Sequence, residues 1–191
     1  MLHGNQTTVC LGCHSKKVTT QEGRTILPMT DSLLLADFQH GPVQSKDCTA
    51  CHDVHGAQHD HLLKKDVTPS LTGTFDRKYY TLCFACHTED LILQATTSTA
   101  TQFRDGTKNL HFLHVQNRGR GNSCTTCHAV HGSNQGRHIA RSIFYPGSEW
   151  KMRLEYTATP TGGTCLTDCH EEIPYSRDPQ HGLLDPNGAK K

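Results

Sequence analysis

Ten cysteines in this chain of 191 residues fall into five close pairs, and a histidine directly follows the second cysteine of every pair. The five segments are Cys10-Leu-Gly-Cys13-His14, Cys48-Thr-Ala-Cys51-His52, Cys83-Phe-Ala-Cys86-His87, Cys124-Thr-Thr-Cys127-His128 and Cys165-Leu-Thr-Asp-Cys169-His170. The last one has one extra residue between its cysteines. Two thiols at this spacing can bond covalently to one flat ligand, and the adjacent imidazole can then bind a metal ion at the centre of that ligand.

The pattern C-x-x-C-H is the attachment site of c-type haem. The two thiols form thioethers with the vinyl groups on one edge of the porphyrin, and the histidine becomes the proximal ligand of the iron. We therefore predict five covalently bound haem c groups, held by all ten cysteines. The predicted proximal ligands are His14, His52, His87, His128 and His170.

Zinc knuckles and disulfides are the alternatives for closely paired cysteines. Zinc knuckles work in twos, and five pairs is an odd number. Five redox-active disulfides across such short spacings in one chain would be unusual. Neither alternative explains the histidine after every pair. For the longer fifth segment, Cys165 to His170, a lone disulfide stays open as an alternative to haem.

The composition is too polar for an ordinary aliphatic core, because hydrophobic residues make up only 34% of the chain and there is one Trp. Such a chain buries too little apolar surface to offset its conformational entropy. Five macrocycles would supply the missing core, with the polypeptide wrapped around them. We predict a mostly irregular or α fold with little regular secondary structure, short helices at the haem motifs and one β-hairpin.

Two segments outside the motifs have their own structural signals. Thr30–Phe38 is predicted to form a short helix with Thr30 or Asp31 as its N-cap. Ile143–Tyr156 is predicted to form the β-hairpin, because a Pro-Gly-Ser-Glu turn precedes alternating apolar residues.

The charge balance and hydropathy argue against two kinds of partner. With 19 Lys and Arg against 18 Asp and Glu, nucleic acid is not expected as the main partner. No apolar run approaches the length of a membrane span. The segment Met1–Cys10 is too short and too polar for a signal peptide, so we expect that an exported form has lost its signal or that the chain is a fragment.

Ten histidines remain after the five proximal ligands are assigned. They are His3, His40, His55, His59, His61, His111, His114, His131, His138 and His181. Methionine could also bind iron, but three methionines cannot serve five sites. We therefore predict a second histidine on every iron, which gives lower redox potentials than His/Met ligation.

Two of the five motifs continue, one residue after the motif histidine, with the same Val-His-Gly run, at Val54-His55-Gly56 and at Val130-His131-Gly132, and the other three do not. Plain and extended motifs therefore alternate along the chain, which indicates an internal repeat of roughly 75 residues with two haems in each unit. We predict one pentahaem unit over residues 1–191. Its segments are 1–40 with the first haem, 41–110 with the second and third, and 111–191 with the fourth and fifth.

The run Cys48–His55, then Leu62-Leu63-Lys64, then Leu82–His87 resembles the doubled CXXCH unit of multihaem c-type cytochromes, and the layout recurs from Cys124 to His170. The resemblance extends to class III and polyhaem cytochromes and to extracellular members that form filaments. It implies that each extended motif and the next plain motif form a closely stacked haem pair. It also implies that His55 binds the iron of His87, and that His131 binds the iron of His170.

Histidines that precede a motif are candidates for the other distal ligands. His3, His40 and His114 are assigned as a group to the first, second and fourth haems, with His111 one helical turn before His114. We expect His59, His61 and His138 to be surface residues or to lie beside propionates.

The two ends of the repeat look open. The first haem has a plain motif without an extended one before it, and Gln180-His181-Gly182 echoes Gln39-His40-Gly41 without a motif after it. Three interpretations follow: the chain is part of a longer polyhaem protein, His181 or His3 binds a haem of a neighbouring subunit in a filament, or His181 is an exposed tail residue.

Electron transfer is the predicted function, with other redox proteins or further copies of the chain as partners. The competing class is a multihaem reductase of nitrite, hydroxylamine or sulfur oxyanions, which needs one iron with an open distal position. All five motifs end in histidine and spare histidines abound, so an electron carrier is expected rather than an enzyme. The resemblance implies a periplasmic, extracellular or cell-surface location.

Overall fold

The computed structural model describes residues 6–19, 21, 23, 25–26, 28–30, 35–67, 70–145 and 148–178. Helices in the described residues are short. The α-helices are α1 (Gln6–His14), α2 (Gly41–Gln44), α3 (Asp90–Leu93) and α4 (Leu110–Val115). The 3-10 helices are Cys48–Ala50, Asp60–Leu62, Arg77–Tyr80, Cys83–Ala85, Cys124–Thr126 and Gly136–His138. None of the helices in these ranges is long and apolar enough to span a membrane.

The strands are also mostly short, and every pair is antiparallel. The strands are β1 (Val18–Thr19), β2 (Thr25–Ile26), β3 (Phe38–Gln39), β4 (Thr72–Gly73), β5 (Arg104–Asp105), β6 (Lys108–Asn109), β7 (Gly121–Asn122), β8 (Gly132–Ser133), β9 (Ser142–Phe144), β10 (Lys151–Ala158), β11 (Gly162–Thr167) and β12 (His170–Ser176). Four two-stranded ladders pair β1 with β2, β3 with β8, β4 with β7, and β5 with β6.

The remaining strands form one four-stranded sheet in the order β12-β11-β10-β9. Its central strand β10 alternates buried and exposed side chains, with Met152 and Leu154 buried. The backbone N–H of Tyr145 donates to the carbonyl of Trp150 at 3.0 Å and closes the hairpin between β9 and β10. The period-two pattern of this segment therefore forms a half-buried strand, as such a pattern does.

The predicted fold class was wrong. Strands are as prominent as helices in the described residues, and the hairpin of β9 and β10 is half of a larger sheet rather than the one β element. The addition of β11 and β12 was missed because β11 begins with two glycines and contains Cys165, and because Pro174 interrupts β12. Proline in a strand argues against the assignment of a central strand, and Pro174 lies in the edge strand, where it is tolerated.

The predicted helix Thr30–Phe38 lies partly outside the described residues, since 31–34 are not among them. Its last residue, Phe38, belongs to β3 and pairs with Ser133 of β8. The helix therefore does not extend to Phe38, because that residue is taken into a ladder formed with a segment 95 positions later in the chain.

Few apolar side chains are fully buried in the described part of the chain. They are Leu71, Tyr80, Ile92, Leu110, Val115, Ala140, Met152, Leu154 and Tyr175. Tyr80, Ile92 and Val115 form one cluster between α3 and α4. A core this small supports the expectation that the polypeptide depends on apolar groups other than its own side chains.

Helix α4 is held firmly against its neighbours by Asn109, which is 1% exposed. Its side-chain oxygen caps the helix by accepting from the N–H of Phe112 at 3.2 Å. Its amide nitrogen donates to the carbonyls of Leu91 and Gln94 at 3.0 and 2.9 Å. A capping residue with all of these bonds fixes both the start and the direction of a helix.

Gly121 of β7 lies where no side chain fits. A Cβ atom there would collide with the carbonyl oxygen of Val115 and approach that of Gly73 to 2.9 Å. Because backbone atoms cannot rotate away, we expect Gly121→Ala to destabilise the protein by about 3 kcal/mol and to lower its thermal midpoint by several degrees. Gly73→Ala is the matched control, because its Cβ meets no atom within 4 Å. Equal midpoints for the two variants would contradict this account.

Candidate haem-binding sites

The second, third and fourth cysteine motifs share one local structure. Each forms a 3-10 turn that starts at its first cysteine. In each, the histidine N–H donates to the carbonyl of that cysteine, at 3.1 Å in His52 and at 2.9 Å in both His87 and His128. Residues three apart lie on the same side of a helical turn, so both thiols of each motif face one side, as attachment to one porphyrin edge requires.

The first and fifth motifs have different backbones. The first is part of α1. The fifth lies on the hairpin of β11 and β12, where Thr167 pairs with His170. Asp168, the extra residue of this motif, accepts from the N–H of Arg153 at 2.7 Å and ties the turn to β10. The longer spacing of the fifth motif is therefore the consequence of a strand turn in place of a helical one.

All ten cysteines are unbridged. The pair Cys165 and Cys169, for which a disulfide stood as the alternative, is part of this set. Cys169 lies beside Met152, with 3.4 Å between the sulfur atoms.

Three histidine pairs have ring centres at nearly the same separation and ring planes within 27° of parallel. The pairs are His40 with His87 (ring centres 6.0 Å apart, planes 7° apart), His52 with His131 (6.2 Å, 11°) and His111 with His128 (6.3 Å, 27°). Each pair combines a proximal histidine of a motif with a histidine from elsewhere in the chain.

The separation tests whether these residues fit a haem iron. With a metal–nitrogen bond of about 2.0 Å and about 1.1 Å from the nitrogen to the ring centre, imidazoles on opposite sides of one metal ion have ring centres about 6.2 Å apart. The three observed separations agree with this value. A haem iron takes only two ligands from the protein because the porphyrin supplies the other four, so histidine pairs are the donor set that it requires.

The second ring nitrogen gives an independent test. Metal-bound histidines donate their other N–H to a carbonyl or a similar acceptor, which fixes the tautomer and the ring orientation. Nδ1 lies within hydrogen-bonding distance of a backbone carbonyl in His52 (His61, 2.9 Å), His114 (Leu110, 2.7 Å), His128 (Arg137, 3.0 Å) and His170 (Glu171, 2.6 Å), and of the Thr101 hydroxyl in His111 (2.8 Å). These bonds leave Nε2 of each ring for a metal ion.

Burial keeps these imidazoles neutral. Burial lowers the pKa of His131 to about 4, with a smaller effect from His52. The pKa of His111 is likewise lowered to about 4 by burial and then by His128 and His114. Both rings are therefore uncharged at neutral pH, which is the form that binds a metal ion.

A fourth pair is indicated by electrostatics. Burial lowers the pKa of His114, and His170 contributes to the shift. His111 and His114 lie one turn apart on α4, so this one helix brings its two imidazoles to the proximal histidines of the fourth and fifth motifs.

The internal repeat is visible in the backbone after the second and fourth motifs. His52 bridges to Leu63, and His128 bridges to Ile139. The ring of His52 contacts the carbonyl of His61, and the ring of His128 contacts that of Arg137. His61 and Arg137 have φ values of 59° and 60°. Equivalent residues are 76 positions apart in every case, so the repeat seen in the sequence is also a repeat of structure.

The histidine rings that lie opposite each other differ from the pairs implied by the resemblance. The ring opposite His87 is that of His40, where the resemblance implied His55. The ring opposite His52 is that of His131, whereas the resemblance implied that His131 binds the iron of His170. His55 is exposed, and its backbone N–H bonds to its near neighbour Asp53. His3 and His181 lie outside the described residues.

His138, which was expected at the surface or beside a propionate, lies next to the ring of His40. Its ring lies 5.7 Å from that of His40 at an angle of 72°, and its Nδ1 lies 3.2 Å from the carbonyl of Phe38. No sequence signal marked it, because the equivalent position in the preceding repeat is Leu62. His59, by contrast, pairs with Asp66 at 2.6 Å.

The first three motifs are neighbours in space in their order along the chain. The side chain of Gln6, just before the first motif, accepts from the N–H of Cys48 at 2.8 Å. Burial and the neighbouring Cys10 thiol raise the pKa of Cys48. Burial and then the third motif, through Cys83, raise the pKa of Cys51.

The same order continues through the last three motifs. A hydrogen bond with the Cys124 thiol lowers the pKa of Cys83 to about 7 and raises that of Cys124. Burial, followed by Cys165 and Cys169, raises the pKa of Cys127 to about 12. Together these electrostatic effects link each cysteine motif to the next one along the chain.

The CXXCH motifs indicate covalently bound c-type haem, and a doubled CXXCH motif supports a c-type cytochrome-like multihaem protein and suggests haem-based electron transfer. Residues 40–91, which contain the second and third motifs, match the family described as the doubled CXXCH motif. Neither the curated proteins nor the solved structures compared with the chain include a match. Motifs of this kind go with an extracytoplasmic location.

Proposed function

We propose that this protein transfers electrons along five covalently attached c-type haems, each with two histidine ligands. The observation that supports this proposal most directly is the set of three imidazole pairs with ring centres 6.0, 6.2 and 6.3 Å apart. Each haem iron supplies a one-electron couple.

The proposal contains four ligand pairs, of which three are supported by ring geometry and the fourth, His114 with His170, by electrostatics. The proposed distal partners are His131 for His52, His40 for His87, His111 for His128 and His114 for His170. In every pair the two histidines come from different segments, so each iron would also cross-link the polypeptide, as structural metals do in small domains.

The chain brings neighbouring sites together through shared segments. His128 and His131 are three residues apart, so their Cα atoms lie within about 11 Å, yet they face different partner histidines. The N–H of His40 donates to the carbonyl of His131 at 3.1 Å, which ties the distal ligands of the second and third sites. Short separations favour electron transfer between sites, and two filled axial positions limit the rearrangement that accompanies it.

The first haem, with proximal His14, receives its second ligand in this proposal either from His3 or from a neighbouring copy. The echo of Gln39-His40-Gly41 in Gln180-His181-Gly182 supports His181 as a ligand given to the next subunit. Such a bond would make the haem series continuous through a filament. The location would then be periplasmic or extracellular, and the partners would be redox proteins or further copies.

Intact mass and carbon monoxide binding test the proposal. We expect the mass of the polypeptide plus five haems, together with negligible carbon monoxide binding to the reduced protein. Fewer than five haems would contradict the count. Carbon monoxide binding at one iron or more would contradict full bis-histidine ligation and favour a reductase with an open iron. A stable monomer with five bis-histidine haems in dilute solution would contradict ligands that cross between copies.

A further inference from the structure

The distal ligand of the fourth site has a second-nitrogen partner of a different kind from the others. Nδ1 of His111 lies 2.8 Å from Oγ1 of Thr101. In His52, His114, His128 and His170 the corresponding nitrogen contacts a backbone carbonyl. The ring of His40 also bonds to backbone, at Val130. Only a side-chain partner can be changed by mutation without altering the backbone.

The direction of this bond follows from the ligand role of His111. If Nε2 binds iron, the hydrogen of the neutral ring is on Nδ1, so Nδ1 donates and Thr101 accepts. Oγ1 of Thr101 also accepts from the N–H of Phe103 at 3.0 Å. The hydroxyl oxygen thus receives two hydrogen bonds and is a weaker acceptor for His111 than a backbone carbonyl would be.

Thr101 is buried, so water does not compete with its hydroxyl for the hydrogen bond from Nδ1 of His111. It is 4% exposed, and the loop that contains it is fixed to α4 by the N–H of Leu110, which donates to the carbonyl of Phe103 at 3.1 Å. The rings of Phe103 and His111 pack in a T-shaped arrangement, with 5.1 Å between their centres.

We propose that Thr101 is the positioning residue that holds His111 as the distal ligand of the fourth haem and sets the redox potential of that haem alone. This inference rests on the proposed function. A partner that accepts from Nδ1–H makes the imidazole a stronger electron donor. A stronger donor stabilises ferric iron and lowers the potential. The strength of the acceptor at position 101 therefore determines the sign of any change.

Three variants of Thr101 test the proposal in the haem-loaded protein. Thr101→Val keeps the shape and removes the acceptor, and we expect the reduced-to-oxidised ratio of one haem in five to rise about tenfold at a fixed potential, which is about 59 mV for a one-electron couple. Thr101→Asn offers a carbonyl oxygen, and its shift has the opposite sign. Thr101→Ser restores the wild-type titration.

Thr97→Val is the matched control. Oγ1 of Thr97, in the same loop, accepts from the N–H groups of Thr99 and Ala100 at 3.2 and 2.9 Å. Neither of these two bonds involves a histidine. We expect a wild-type redox titration from this variant.

Each result of these redox titrations either supports or overturns the role of Thr101. An unchanged titration in Thr101→Val, or an equal shift in Thr97→Val, overturns the proposal. If Thr101→Val does not take up five haems, the sign of the difference between Thr101→Asn and Thr101→Ser decides instead, and a difference of zero overturns it. The proposed function is tested separately by the haem count and carbon monoxide binding of the wild-type protein, so the two can fail independently.

Discussion

The chain made without haem is expected to be largely unfolded. Its buried apolar side chains are few, and its longest pairing network is the sheet of β9 to β12. A polypeptide that orders this many residues around so small a core does not recover the lost conformational entropy. The haem-free chain can be made in a host that lacks haem-attachment machinery. Its secondary structure is then measured by far-UV circular dichroism, and its amide protection by hydrogen exchange.

The matched control is the same sequence made in a host that attaches haem. We expect slow exchange in the control for amides such as that of His128, which bonds to the carbonyl of Cys124, and fast exchange in the haem-free chain. Protection of those amides without haem would show that the polypeptide folds by itself. Residual protection limited to β9–β12 would agree with the expectation, because Met152, Leu154 and Tyr175 are buried in that sheet.

Replacement of His40 is expected to open the iron bound by His87, and replacement of His55 is not. His40 faces His87 at 6.0 Å with ring planes 7° apart, whereas His55 is exposed. In the reduced His40→Ala protein we expect carbon monoxide to bind at one iron in five, and in the oxidised protein one iron in five to become high-spin. His55→Ala is the control that separates the geometric assignment from the one implied by the doubled motif.

A further variant identifies which iron has opened. If the new carbon monoxide site belongs to the third haem, it disappears when Cys83→Ala and Cys86→Ala remove that haem from the His40→Ala protein. Carbon monoxide binding that follows His55→Ala at the same haem would overturn the pairing of His40 with His87 and support the pairing that the resemblance implied.

The residues of the site could be predicted far better than their pairing. Every histidine in the three facing pairs was a candidate from the sequence, because imidazole is the only abundant ligand left after the motifs are assigned. The pairing of the histidine rings depends on packing between segments that are far apart in the chain. His52 and His131 are brought together by chain segments 79 positions apart, and the ladder of β3 with β8 sets the position of His40.

The secondary structure also consists of elements that a sequence pattern predicts and elements that only long-range contacts form. The alternation in β10 was sufficient to predict a strand, whereas the CXXCH spacing alone did not fix one backbone, because the first motif lies in α1 and the second, third and fourth form 3-10 turns. The two-residue ladders, such as β4 with β7, have no sequence pattern of their own because two residues show no periodicity. They form where distant segments meet, so only the tertiary structure contains them.

The sequence by itself determined the chemistry, since paired thiols with an adjacent imidazole indicate covalent attachment of c-type haem. That attachment depends only on residues within five or six positions of one another. Tertiary structure alone decided which histidine ring lies opposite His52, His87 and His128, that the fifth motif turns on a hairpin, and that Thr101 reaches His111. Those outcomes depend on contacts between segments that are far apart in the chain, or on how a loop packs against α4, and spacing along the sequence contains no record of either.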